Sequence, residues 1–140
     1  MGALVNEALT IVLRTISGMN AREHFGARAT RVRRERAATA RALRDAKCPR
    51  PTIPCSVLLT RVAPSSGLDD DNLISSLKGV RDELAKWLGV DDRDSLTVRF
   101  RYAQKRGHAH MVLVEFGEPV SGAQFEIEGV RLWPFPEARG

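Results

Sequence analysis

Two short stretches gather most of the aspartates that could do chemistry: Asp69, Asp70 and Asp71 in GLDDDNL, and Asp91, Asp92 and Asp94 in GVDDRD. Carboxylates this dense repel one another, so each group requires solvent, a proton or a cation. At a helix start, aspartates cap free N–H groups and meet the positive end of the dipole. Capping accounts for one of the first three well and for the third poorly. The second group falls beyond the C-terminal end of the same expected helix, where the dipole gives no support, and its plain reading is a solvated turn. If the strands flanking the two groups are sheet neighbours, both groups converge at one edge. Hard oxygen donors gathered there suit Mg²⁺ or Mn²⁺, which keep several waters for a phosphate to displace. A calcium loop of the EF-hand kind fails on spacing: counted from Asp69, position 6 is Ile74 and position 12 is Val80.

The acidic groups sit in a basic chain. Its formal net charge is +5, which points to an anionic partner such as nucleic acid or an acidic membrane surface. Residues 22–50 carry 10 basic and 3 acidic side chains. Arginine dominates this segment, and guanidinium pairs bidentately with phosphate. Arg31, Arg33 and Arg34 at its centre are candidate DNA contacts, with a solvated helix face as the alternative. Arg99 and Arg101, alternating with apolar residues, and Lys105 and Arg106 at the turn that follows are candidate backbone contacts, or a solvated sheet face. An acidic patch inside a basic surface is coherent as a metal site ringed by phosphate-binding groups, because the metal reverses the local charge. His24, His108 and His110 have no partners at metal-ligand spacing, and no nucleophile pair or phosphate-cradling glycine loop is present.

The elements that must position these residues follow from pattern. Leu9–Ile16 reads as a strand and 21–46 as a basic helix. Pro49, Pro51 and Pro54 form an extended connector to a second strand, Ser56–Val62. Leu73, Leu77, Val80, Leu84 and Trp87 recur at helical spacing and define an amphipathic helix. Leu96, Val98, Phe100 and Tyr102 alternate with polar residues as a half-buried strand, Gln104–Gly107 supplies a turn, and His110–Phe116 returns, so 96–116 reads as a hairpin. A last strand is expected around Phe125–Leu132. The order is β-α-β-α-β-β-β, a single α/β or α+β domain with a mixed sheet and two main helices. Its expected extent is 9–132, between a flexible N-terminus at 1–8 and a tail at 133–140 that holds Trp133.

Asp69-x-Asp71-Asn72-Leu73, then Leu77-Lys78-x-x-x-Asp82-x-Leu84, then Asp91-Asp92 before the next strand, is similar to the motif order of the RusA-type Holliday junction resolvases of phages and prophages. The resemblance covers roughly residues 9–116, with Asn20 in the turn after the first strand and Asn72 as the motif asparagines. It implies a RusA-like fold and a homodimeric, Mg²⁺- or Mn²⁺-dependent endodeoxyribonuclease that nicks four-way junctions or other branched DNA, acting in recombination and repair in a bacterial or phage-infected cytoplasm. Carried over, the metal ligands are Asp69, Asp71 and Asp92 and the active-site lysine is Lys78, with Asp71 also catalytic. Asp70 and Asp91 take auxiliary or structural roles. The family lysine follows the motif asparagine by three residues, whereas Lys78 follows Asn72 by six. On one continuous helix Lys78 would still lie within ~20° of Asp71, one turn further along.

The residues alone leave two readings open: a metal-dependent phosphodiester enzyme, or a binding module with two capped and solvated acidic turns. Beside the nuclease that the resemblance implies stand a non-catalytic RusA-like DNA-binding or regulatory module and, third, a protein-interaction domain whose charge only aids solubility. At 140 residues there is room for one sizeable core. No run approaches the ~20 apolar residues of a membrane span and no signal-peptide pattern opens the chain, so a cytoplasmic protein without a membrane partner is expected. Cys48 and Cys55 are expected as reduced, structural thiols.

Overall fold

The computed structural model describes residues 8–16, 25–65, 67–91, 97–119 and 130–132. The elements are β1 (Ala8–Ile11), α1 (Phe25–Asp45), β2 (Cys55–Ala63), α2 (Asp70–Ser76), α3 (Lys78–Leu88), β3 (Val98–Arg106), β4 (Met111–Gly117) and β5 (Val130–Leu132). The strands form one mixed sheet in the order β1-β4-β2-β3-β5. β3 pairs parallel with β2 and β5 parallel with β3, while β4 runs antiparallel to both β1 and β2. The C-terminal ends of β1, β2, β3 and β5 therefore lie along one edge, the carboxyl edge.

Strand alternation sets the core. Val57 and Leu59 of β2, Val98, Phe100 and Tyr102 of β3, and Val112, Val114 and Phe116 of β4 share one face and pack against Leu73, Leu77, Val80, Leu84 and Leu88 of the helices. Trp87 is partly buried against this core, 5.8 Å from the Phe116 ring. The fold is thus a single α+β domain with a mixed sheet and three helices.

Helix α1 runs beside α3 in the same direction. Val32 and Glu35 meet Gly79, and Arg36 meets Glu83. A Cβ at Gly79 would stand 2.5 Å from Glu35 Oε1 and 2.7 Å from Glu35 Cβ, so the close approach of the helices needs glycine. The buried stripe of α1 is largely polar: Glu35, Thr39 and Leu43, four residues apart. Thr39 Oγ1 donates to Glu35 O at 2.9 Å and Arg31 reaches Glu35 Oε2 at 3.2 Å.

Several sequence expectations are corrected. The stretch 96–116 is not a hairpin, because β2 lies between β3 and β4. Residues 107–110 cross the end of β2 instead, with Gly107 N donating to Ala63 O at 3.0 Å, and a Cβ at Gly107 would meet Val62 at 2.6 Å. Neighbouring strands stand about 4.8 Å apart, so a four-residue link easily spans the two intervals. Lys105 and Arg106 belong to β3 rather than to a turn. The second helix is two helices: Leu77 (φ −106°, ψ 10°) departs from helical geometry, and the buried Ser76 hydroxyl donates to Leu73 O at 2.8 Å, bending the chain there. β1 ends at Ile11 rather than Ile16; α1 is described from Phe25, and the expected start at 21–24 lies outside the described residues. Of the last expected strand, Val130–Leu132 is present and 125–129 lie outside the described residues.

Candidate functional site

The acidic group at 69–71 stands at the carboxyl edge, where the crossover from β2 enters α2. Gly67 takes φ 114°, a backbone state that glycine tolerates, and lies against Gln104. The amide of buried Gln104, on β3, then clasps Leu68 twice: Leu68 N donates to Oε1 at 2.9 Å and Nε2 donates to Leu68 O at 2.6 Å. Asp69 is the N-cap of α2, and its Oδ1 accepts from Asn72 N at 2.9 Å and from Asn72 Nδ2 at 2.8 Å. Asn72 itself is buried. One oxygen of Asp69 is thereby committed and oriented, and the whole carboxylate of Asp71 stands exposed. Asp70, also exposed, opens α2.

Basic groups surround the same edge. Because α1 runs parallel to α3, its N-terminal half lies at the end where α3 begins. Arg33 and Arg34 are exposed there; Arg33 donates to Thr30 Oγ1 at 3.4 Å. Arg31 is instead half-buried and engaged with Glu35. Lys105 and Arg106, both exposed, end β3 at this edge. Arg99 and Arg101 are half-buried on the sheet face opposite the core, nearer the start of β3.

Asp91 does not converge with the group at 69–71. β2 and β3 are neighbours but parallel, so the chain leaving β2 and the chain entering β3 are at opposite edges. Nine residues of strand separate them by roughly 30 Å. Asp91, exposed just past the C-terminal end of α3, belongs to the far edge. Asp92, like Asn20, lies outside the described residues, as do His24, Asp94 and Trp133. Among the described residues, no three or more His, Cys, Asp or Glu are placed to hold one ion. Asp69 and Asp71 remain as a pair of hard-oxygen donors. Such a pair fits Mg²⁺, which takes one or two carboxylates and completes its shell with water and phosphate.

The break at Leu77 removes the continuous helix on which Lys78 would face Asp71. Lys78 is the first residue of α3, exposed, and its Nζ meets Asp82 Oδ2 at 3.0 Å. His108 is exposed and His110 half-buried in the 107–110 link. Cys48 and Cys55 form no disulfide.

One residue of this edge escaped the sequence reading. Arg61 of β2 points to the core side, 8% exposed, and its Nε donates to Thr15 Oγ1 at 3.2 Å. Burial, with the nearby positive charge of Arg14 adding to it, presses its pKa down. The alternation Val57, Leu59, Arg61 in SVLLTRV was the available signal.

Compared with models of known protein families and with curated proteins, the chain matches none. Among the described residues no helix is long and apolar enough to cross a membrane.

Proposed function

We propose that the chain is a Mg²⁺-dependent, RusA-like endodeoxyribonuclease that hydrolyses phosphodiesters of four-way or other branched DNA, as a homodimer, in phage or prophage recombination and repair. The observation that carries this reading is the carboxyl edge: a carboxylate fixed by Asn72, an exposed one two residues on, and exposed arginine and lysine on the first half of α1 and at the end of β3. Asp69 and Asp71 would hold the metal. Bound there, Mg²⁺ supplies an acidified water and a polarised phosphoryl oxygen. Asn72 keeps Asp69 in one rotamer, so little reorganisation accompanies substrate binding. Arg33, Arg34, Lys105 and Arg106 attract backbone phosphates irrespective of sequence, which favours recognition of DNA shape and makes binding salt-dependent. Lys78 offsets charge growing on the phosphoryl oxygens. To do so it leaves Asp82, whose side chain is 18% exposed against 64% for the lysine.

A second reading, a non-catalytic DNA-binding or regulatory relative, is favoured by the position of Asp91 at the far edge. Incubation with labelled four-way junction and linear duplex, in Mg²⁺ and in chelator, separates the two. Metal-dependent, junction-selective cutting that Asp71→Asn abolishes supports the nuclease. Binding without cutting in either buffer moves the conclusion to the second reading, and failure to bind either DNA at low salt removes both.

A further inference from the structure

A guanidinium inside a fold ordinarily has a carboxylate partner, because an unpaired charge removed from water is costly. Arg61 has none among the described residues: its single hydrogen bond there is Nε to Thr15 Oγ1. The residue keeps 8% of its surface accessible, and the Nε bond to Thr15 leaves its two Nη atoms for a further acceptor. Thr15 uses its oxygen to accept from Arg61, which leaves the hydroxyl proton to donate elsewhere. Arg14 brings a second positive charge to the same place, exposed at the surface. Arg14 directly precedes Thr15, the hydroxyl partner of Arg61, and among the described residues no carboxylate pairs with either guanidinium, so an anion would complete the site. The site also has a defined neighbour. Arg61 stands opposite Gln104 in the β2–β3 register, and Gln104 clasps Leu68, the residue before Asp69.

We infer that Arg61, with Thr15 and Arg14, is a phosphate-holding subsite at the carboxyl edge, gripping a DNA backbone phosphate beside the one presented to Asp69 and Asp71. The inference rests on the DNA-directed reading above, but it concerns binding and needs no cutting. Arg61 is retained here at a cost to stability, in exchange for a preorganised anion contact.

The test is fluorescence anisotropy of labelled four-way junction with the full chain in chelator, over a salt series, for wild type, Arg61→Met and Arg14→Gln. Thermal melting of each variant accompanies it. Arg61→Met is expected to weaken binding about tenfold at the lowest salt and to make the log–log salt slope shallower by about 0.9, the value for one phosphate contact on duplex DNA. Its melting temperature should stay level or rise, because a buried unpaired charge is gone. Arg14→Gln, altered at the surface, should weaken binding in the same direction. Wild-type affinity and slope in Arg61→Met overturn the inference. So does a melting temperature that falls in Arg61→Met while Arg14→Gln binds normally, since Arg61 is then structural. Inorganic phosphate supplies the other arm: if it raises the melting temperature of wild type but not of Arg61→Met while both bind DNA equally, the subsite takes free phosphate and the DNA assignment fails. Wild type that binds junction through Arg61 yet fails to cut it in Mg²⁺ sinks the nuclease reading alone and leaves this inference standing.

Discussion

Replacing Asp69 separates its structural role from its proposed chemical one. In Asp69→Ala the N-cap of α2 is lost, which costs about 1 kcal/mol, and Asn72 Nδ2 loses its 2.8 Å acceptor in a site only 8% exposed. Losing that bond to a carboxylate costs about 1–2 kcal/mol more. The sum, about 2–3 kcal/mol, corresponds to a fall of about 8–12 °C in Tm for a chain of this size. Asp69→Asn keeps an oxygen that can accept both bonds from Asn72 but removes the negative charge. Its Tm should stay within about 2 °C of wild type, while metal-dependent cutting falls by roughly 100-fold or more. Differential scanning fluorimetry and a gel assay on labelled junction, run on the same preparations, read both. An unchanged Tm in Asp69→Ala would refute the cap and clamp, and wild-type cutting in Asp69→Asn would refute Asp69 as a ligand.

Other expectations are independent of that pair. Gly79→Ala should destabilise by about 1–2 kcal/mol despite alanine's better helix propensity, since the new methyl meets Glu35 and the Val32 carbonyl. Gly26→Ala, with nothing within 4 Å of its Cβ, should stabilise by about 0.5–1 kcal/mol; chemical denaturation compares the two. Lys78→Met should leave DNA binding in chelator unchanged, yet lower cutting about 100-fold; equal cutting would remove Lys78 from the site. Burial raises the Cys55 thiol pKa, so the folded chain holds this proton more tightly than the unfolded chain. The associated stability is complete below the unfolded value of about 8.5 and is lost as pH rises above it. Denaturation between pH 8 and 10.5 should show a decline that Cys55→Ala flattens, and parallel curves for the two proteins would contradict it.

The parts of the fold written in local periodicity were legible. Val98, Phe100 and Tyr102 alternate inward as their spacing requires, and Asp69 caps a helix as an aspartate before an amphipathic stripe should. The break at Leu77 was hidden because Leu73, Leu77 and Val80 keep helical spacing across it; Ser76 was the one local sign. The false hairpin came from two strands joined by a short link, a pattern that fits adjacent pairing equally well and says nothing of a third strand inserted between them. The separation of Asp91 from the group at 69–71 was readable by rule. A helix linking two sheet neighbours implies parallel strands, so the start of that helix and the start of the next strand fall at opposite edges. Arg61 was missed because an arginine in a strand is ordinarily read as outward, although its parity with Val57 and Leu59 turns it inward.

Binding of Mn²⁺, followed by electron paramagnetic resonance in the presence of uncleaved DNA, tests the central claim most directly. Wild type and Asp91→Asn should each take up one ion per chain, and Asp69→Asn and Asp71→Asn should take up none. Uptake that survives Asp71→Asn, or that disappears in Asp91→Asn, would contradict a metal site at the carboxyl edge.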